Sequence, residues 1–145
     1  SPEQLATSET IPKACIIART SNEEKARGAN IRVRYFTPQD AHKSLAVTGG
    51  ACLAAACLTS GTIAHEVVED ISGLGQNLEE HEVKMANPAG ILKATIEGAH
   101  DKAGNIVMPS AAYERSTQIL LRGHTPIYNA SHELMDFYRA TAKAA

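Results

Sequence analysis

Apolar and polar residues alternate along several short stretches of the chain, which is the pattern of strands with one buried face. Residues 31–36 (IRVRYF) alternate apolar with basic residues and stop at Thr37-Pro38. Residues 13–18 are apolar and rich in β-branched side chains, which indicates a buried strand. Further strands are predicted at residues 62–68, 82–86, 91–97 and 112–121, with a surface loop at 20–30 and a hairpin tip at 101–104.

A different pattern runs from residue 44 to residue 60, where Ala, Leu and Cys fill almost every position. This composition predicts a helix that is buried on all sides, with Gly61 just past its end. Ser131 is a good N-cap for a last helix that runs to about Ala142. Several strands around one apolar helix define the fold class as α+β.

Length and composition describe one ordinary domain. The chain has 145 residues, of which 43% are hydrophobic and 21% charged, which is typical of a soluble globular protein. It has no apolar run near 18 residues, and its N-terminus does not resemble a signal peptide, so we expect no membrane association and a cytoplasmic location. Residues 1–10 are polar and are predicted to be a linker or a truncated start.

Charge and cysteine content exclude further classes. The net charge of -2 provides no clustered basic face for nucleic acid. The three cysteines, Cys15, Cys52 and Cys57, are odd in number and lie among apolar residues, which favours reduced, buried thiols. No histidine or cysteine spacing is typical of a metal site, so none is expected.

The most informative candidate site is Thr48-Gly49-Gly50, at the start of the apolar helix. Glycines let the backbone approach a ligand, and free N–H groups at a helix N-terminus bind anions such as carboxylates. The alternative is that Gly49 and Gly50 only allow close packing of a buried helix.

A second candidate is the segment Asn87-Pro88-Ala89-Gly90, which can present backbone N–H groups and the Asn87 amide to the same anion. A plain hairpin turn explains this segment equally well.

Four further side chains have suitable chemistry. His42 and Lys43 precede the helix and could orient or neutralise an acidic substrate. Cys52 lies in the first helical turns, where a thiolate is stabilised, although a core role is the commoner one. Arg115 is a candidate carboxylate partner through its bidentate guanidinium.

Five patches of the chain carry a family resemblance when they are taken in order: Ile11-Pro-Lys-Ala-Cys-Ile-Ile17, Ile31-Arg-Val-Arg34, the run from His42 through Gly49-Gly50 to Ala56 and Gly61-Thr62, Asn87-Pro-Ala-Gly90, and Glu114-Arg115 to Gly123. They resemble the second half of the PrpF-type isomerases, which move double bonds in aconitate-like or itaconate-like acids.

The resemblance implies half of a diaminopimelate-epimerase-like fold, with a curved, mostly antiparallel sheet rolled around a central apolar helix. It places this half at residues 11–128, followed by a C-terminal helix at 129–145. It also implies that the helix N-terminus binds substrate carboxylates and that no cofactor is needed. The proton-transfer cysteine and lysine of the family belong to its N-terminal half, so the catalytic residues are expected outside this chain.

Two positions depart from the family pattern. The turn has Asn87 where the family has His and Ala89 where it has Ser. In addition, no cysteine stands just before the glycines, where amino-acid epimerases of this fold have their second catalytic thiol. The main hypothesis is therefore the carboxylate-binding half of a cofactor-independent isomerase, with a small polycarboxylate and the N-terminal half of the same protein as partners. The alternatives are a non-catalytic small-anion binding domain and a structural half that forms a homodimer.

Overall fold

The computed structural model describes Thr7, Ser8, residues 11–38, 40–124, Pro126 and residues 128–142. The predicted linker at 1–10 therefore lies largely outside the described residues. The chain divides into two compact units, Ser1–Arg115 and Ser116–Ala145. The first unit contains the sheet and every candidate residue named above.

Five strands form one sheet in the order β1-β2-β3-β4-β5. Neighbouring strands are antiparallel except for β2 and β3, which are parallel. The strands are β1 (Ala14–Ala18), β2 (Ile31–Phe36), β3 (Glu79–Asn87), β4 (Gly90–His100) and β5 (Ile106–Tyr113). The α+β class and the predominance of antiparallel pairing agree with the expectation from the sequence.

Four helices are found in the described residues: α1 (Asn22–Ala26), α2 (Val47–Leu58), α3 (Ile63–Val67) and α4 (His132–Ala142). Both α2 and α3 lie in the connection between the parallel strands β2 and β3. In the second unit, the Ser131 hydroxyl accepts a hydrogen bond from the Leu134 N–H at 3.2 Å at the start of α4, as expected of an N-cap. No helix in the described residues is both long and apolar enough to span a bilayer.

One face of α2 packs into the hydrophobic core of the first unit. Leu53, Ala54, Cys57 and Leu58 are buried there, as the 3.6-residue helical period requires of one face. Alternate residues of β2, β3 and β4 complete the same cluster: Ile31, Val33, Tyr35, Val83, Met85, Ala94 and Ile96.

The prediction that this helix is buried on all sides is wrong. Three residues of α2 are exposed in the structure: Val47, Thr48 and Cys52. For Val47, 42% of the residue surface is accessible to solvent. The physical reason is that the described sheet covers only one side of α2. An Ala-rich composition therefore gives no information here about which side is open.

Three of the predicted elements also differ from the structure. Residues 63–67 form helix α3 instead of a strand, because the Thr62 hydroxyl caps it by accepting a hydrogen bond from the His65 N–H at 3.1 Å. The predicted loop at 20–30 contains α1, which begins with a capping box between Ser21 and Glu24. The predicted strand at 112–121 ends at Tyr113, since β5 has only β4 as a partner and the residues after it form no ladder.

Candidate anion site at the start of helix α2

The Thr48-Gly49-Gly50 segment lies inside the first turn of α2, whose N-cap is Ala46. The Gly50 N–H already donates to the Ala46 carbonyl at 2.8 Å. No side chain caps the first turn, and within the described residues the N–H groups of Val47, Thr48 and Gly49 have no hydrogen-bond acceptor. The free donors of this helix end are therefore those of residues 47–49, whereas the Gly50 N–H belongs to the helix itself.

Two tyrosine rings explain why glycine is needed in this turn. A Cβ at Gly49 would lie 2.5 Å from Cε2 of Tyr35, and a Cβ at Gly50 would overlap the ring of Tyr113. Real Cβ atoms do not approach other carbon atoms so closely. The structure thus supports the packing explanation for both glycines, and this explanation is compatible with free N–H groups in the same turn.

Tyr113 carries a hydroxyl that is buried and has no hydrogen-bond partner in the described residues. Burial raises the pKa of this phenol, while the nearby Arg115 cation lowers it to a smaller extent. The hydroxyl would therefore be un-ionised and available as a donor at neutral pH.

Arg115 lies at the same end of the helix. Its guanidinium carbon is 5.6 Å from the centroid of the Tyr113 ring, the same ring that packs against Gly50. Arg115 is exposed and makes no ion pair within the described residues, whereas the adjacent Glu114 is paired with Lys93 at 2.9 Å. It is thus an unpaired cation beside the tyrosine ring that packs against the first turn of α2.

His42 also belongs to this region. Its ring meets the Tyr35 ring edge-on, with 6.0 Å between the centroids, and its Nδ1 accepts a hydrogen bond from the Ser44 N–H at 3.0 Å. A neutral His42 therefore carries its proton on Nε2. Lys43 is exposed and forms no ion pair in the described part of the chain.

The Asn87-Pro88-Ala89-Gly90 segment forms the two-residue turn between β3 and β4. The Asn87 side-chain oxygen accepts a hydrogen bond from the Ala89 N–H at 3.0 Å, and Gly90 adopts a φ of 128°. This is the local turn chemistry that the alternative explanation requires.

The sheet register brings this turn and the start of α2 to the same edge of the sheet. The last residue pair between β2 and β3 is Arg32 with Ala86. Beyond this pair β2 continues to Tyr35, which therefore lies past the end of β3. Tyr113 of β5 pairs with Ala94, close to the start of β4 at Gly90. Asn87 and Pro88 nevertheless line a groove of about 300 Å³ together with Arg32 and Arg34, whereas Thr48 and Gly49 line a different one. The structure places the two segments at one edge without joining them in one pocket.

The groove that contains Thr48 and Gly49 follows the open side of α2 and has a volume of about 440 Å³. Strand β1 contributes Cys15 to it and α2 contributes Cys52. Both cysteines are exposed, so the prediction that they are buried is wrong, while Cys57 is buried as expected. The reason is that β1 is an edge strand and the side of α2 towards it is uncovered.

Sequence reasoning missed the two tyrosines. Tyr35 is the last inward-facing residue of β2, and Tyr113 ends β5. The pattern placed Tyr35 near the end of the strand at 31–36, whereas the strand predicted at 112–121 did not place Tyr113 at a strand end. The contact of both rings with the glycines depends on pairing between distant strands. In the described residues no group of three or more His, Cys, Asp or Glu side chains is arranged to hold a metal ion.

Comparison with known proteins identifies first the fold and then the family. A solved structure described as methylitaconate-delta-isomerase superposes with a TM-score of 0.54 at 18% identity, covering 79% of this chain and 31% of that one. The family profile described as PrpF protein matches residues 1–128. The chain belongs to the PrpF family, which confirms the resemblance seen in the sequence.

Two relatives match most of this chain. YbhH of Escherichia coli (strain K12) is 28% identical over 113 residues, covering 78% of this chain and 28% of YbhH. The (4E)-oxalomesaconate Delta-isomerase of Novosphingobium sp. (strain KA1) is 32% identical over 117 residues, covering 81% of this chain and 29% of that enzyme. The matched part is thus less than a third of the length of either relative.

Proposed function

We propose that this chain is the carboxylate-binding half of an isomerase that shifts a double bond in a small polycarboxylic acid. The observation that carries the proposal is membership of the PrpF family, since the profile covers residues 1–128. The names of two relatives, an oxalomesaconate isomerase and a methylitaconate isomerase, support unsaturated polycarboxylates as the substrate class. Aconitate-like and itaconate-like acids belong to this class.

The start of α2 is the part of the structure that suits such a substrate. Free N–H groups at residues 47–49 point out of a helix end with a partial positive charge. Arg115 adds a full positive charge above the Tyr113 ring, which packs against Gly50 in the same turn. Together they can neutralise a carboxylate and, in an isomerase, would stabilise the negative charge that develops when an allylic proton is removed. His42, Lys43 and the Asn87–Gly90 turn at the same edge are proposed to contact other carboxylates.

We assign the proton-transfer step to residues outside this chain. The proposed fold is half of a diaminopimelate-epimerase-like protein, in which a second half completes the cleft. Such a reaction needs a base that removes a proton and an acid that returns one at another carbon, and it needs no cofactor. In the whole protein, vinylic protons of cis-aconitate, oxalomesaconate or methylitaconate should exchange in deuterated water, as followed by NMR. The absence of exchange with every one of these acids would contradict the isomerase proposal.

Carboxylate binding can be tested on the chain itself. Titration with tricarballylate, a saturated tricarboxylate, should shift the backbone amide resonances of Thr48 and Gly49, whereas its uncharged triamide should not. Arg115→Met should weaken binding about tenfold, because it removes an interaction worth roughly 1–2 kcal/mol. Arg115→Lys is the matched control that keeps the charge. Unchanged Thr48 and Gly49 amides would show that the first turn of α2 has only a packing role.

A further inference from the structure

Two cysteines from different elements open into one groove, and the proposed function does not use them. Cys15 is on β1 and Cys52 is on α2, and both line the groove of about 440 Å³ beside α2. Both side chains are exposed in the structure. They are therefore accessible to a small reagent from the same side of the molecule.

The register explains why the two cysteines reach the same groove. Cys15 pairs with Tyr35 across the β1–β2 ladder, and the Tyr35 ring lies against Gly49. Cys52 follows Gly49 by three residues, so the two share one face of the helix. Tyr35 thus places the Cys15 position and the Cys52 turn next to each other.

The ionisation of Cys15 is consistent with this proximity. Burial raises the pKa of the Cys15 thiol, and the charge of Cys52 raises it further. For Cys57, burial raises the pKa to about 12, and the charge of Cys15 contributes to a smaller extent. Cys57 differs from both other cysteines because its side chain is enclosed in the core and does not line the groove.

We propose that Cys15 and Cys52 form an oxidisable dithiol that closes to a disulfide when the protein meets a peroxide. The Cys52 thiol loses its proton, the thiolate attacks one oxygen of hydrogen peroxide, and the O–O bond breaks; the departing hydroxide takes up the released proton as water, and a sulfenic acid remains on Cys52. The Cys15 thiol then loses its proton, its thiolate attacks the Cys52 sulfur, and the S–O bond breaks; the departing hydroxide takes up that proton and leaves as water. Two thiols lose two electrons in total, and one peroxide is reduced to two molecules of water.

The roles of the two cysteines follow from their surroundings. A raised pKa leaves less thiolate on Cys15 at neutral pH, so Cys15 is assigned the second, resolving step. Cys52 is exposed on the open side of α2 and is assigned the first step. The disulfide would join β1 to α2 one turn after Gly49. It would lie in the groove that Thr48 and Gly49 also line.

Mass spectrometry of the peroxide-treated chain tests the proposal directly. The intact mass should fall by about 2 Da, for the loss of two hydrogens, and only one of the three cysteines should still be alkylated after denaturation. In a Cys57→Ala variant, trypsin should release residues 14–19 linked to residues 44–84, which then contain Cys52 as their single cysteine. The wild-type measurements keep the test valid if that variant folds poorly.

Single substitutions separate the two roles. Cys15→Ser should accumulate a sulfenic acid on Cys52 that dimedone traps, whereas Cys52→Ser should leave Cys15 reduced at the same dose of peroxide. Three alkylated cysteines after peroxide, a link that includes Cys57, or a disulfide between two chains on a non-reducing gel would each overturn the proposal. So would trapping of a sulfenic acid in Cys52→Ser but not in Cys15→Ser.

Discussion

The ring of Tyr35 lies so close to Gly49 that a Cβ at position 49 would stand 2.5 Å from Cε2 of the tyrosine. Tyr35 is 5% exposed, so its ring has little room to move away. The same contact couples the end of β2 to the first turn of α2. It makes the geometry of the candidate anion site dependent on a core residue.

Replacing Gly49 by alanine should therefore destabilise the first unit. We expect a loss of about 1–3 kcal/mol in the free energy of unfolding, because the added methyl group forces the Tyr35 ring or the helix to shift. Urea denaturation followed by circular dichroism measures this loss. Gly75→Ala is the control, since no atom lies within 4 Å of a Cβ at that position. Equal stability of both variants would contradict the packing role of Gly49.

The buried hydroxyl of Tyr113 leads to the opposite expectation. Because it has no hydrogen-bond partner in the described residues, Tyr113→Phe should leave the free energy of unfolding unchanged or raise it by up to about 1 kcal/mol. Thermal unfolding of the two proteins compares them. A clear loss of stability in the phenylalanine variant would reveal a partner for this hydroxyl.

The Thr62 cap should contribute more to stability than the short length of helix α3 suggests. The Thr62 hydroxyl accepts from the His65 N–H and also donates to the Ala56 carbonyl at 2.6 Å, which fastens α3 to the end of α2. Thr62→Ala should cost about 1–2 kcal/mol of stability, and Thr62→Ser, which keeps the hydroxyl, should cost less. Chemical denaturation of the three proteins gives the ranking, and equal losses would disprove the capping role.

Acid stability should depend on Glu24. The Arg32 side chain, hydrogen-bonded to this carboxylate, lowers its pKa from 4.5 to about 2, with help from the Ser21 backbone. A lowered folded-state pKa stabilises the protein above the unfolded value, and the contribution is lost as the pH falls from about 4.5 towards 2. Glu24→Gln should therefore flatten the decline in the free energy of unfolding between about pH 5 and about pH 3. Urea unfolding at several pH values in this range measures the decline.

Glu23→Gln provides the matched control for that experiment. Glu23 is the neighbouring acidic residue in the first turn of α1, and it makes no ion pair within the described residues. Its replacement should leave the pH dependence as in the wild type. The same slope in all three proteins would show that the ion pair with Arg32 is not formed in solution.

The three cysteines should differ in reactivity. With burial raising the pKa of Cys57 to about 12, iodoacetamide at mildly alkaline pH should modify Cys15 and Cys52 in the folded chain and spare Cys57. Cys57 should react only after denaturant is added. Modification of Cys57 at the same rate as Cys52 in the native state would contradict the burial of Cys57 on the face of α2 that packs against the sheet.

Strands were predictable from the sequence where their two faces differ. The alternation in Ile31–Phe36 is a local property, because one side of β2 faces the core and Arg32 and Arg34 lie on the other. Residues 63–67 were harder to assign, since β-branched side chains favour a strand while the Thr62 cap favours a helix, and the cap decides. The Ser21 and Glu24 capping box was a readable signal for α1.

The site was predictable only in part. A helix N-terminus at Thr48 and Gly49 and a turn at Asn87–Gly90 are local features, and the sequence located both. The packing of Tyr35 and Tyr113 on the two glycines depends on strands far apart in the chain, which no spacing rule specifies. Their contacts require the register of the sheet.

The parallel pairing of β2 with β3 has a consequence for folding. The other pairings are antiparallel and join strands with short connections, so β1–β2 and β3–β4–β5 are two local pieces, whereas α2 and α3 lie between β2 and β3. Between these pieces the ladder has only two registered residue pairs, Ile31 with Met85 and Arg32 with Ala86. Because α2 packs against both pieces, it holds them together in one sheet. We therefore expect local opening of α2 to expose the β2–β3 amides to hydrogen exchange before the amides of the antiparallel pairings.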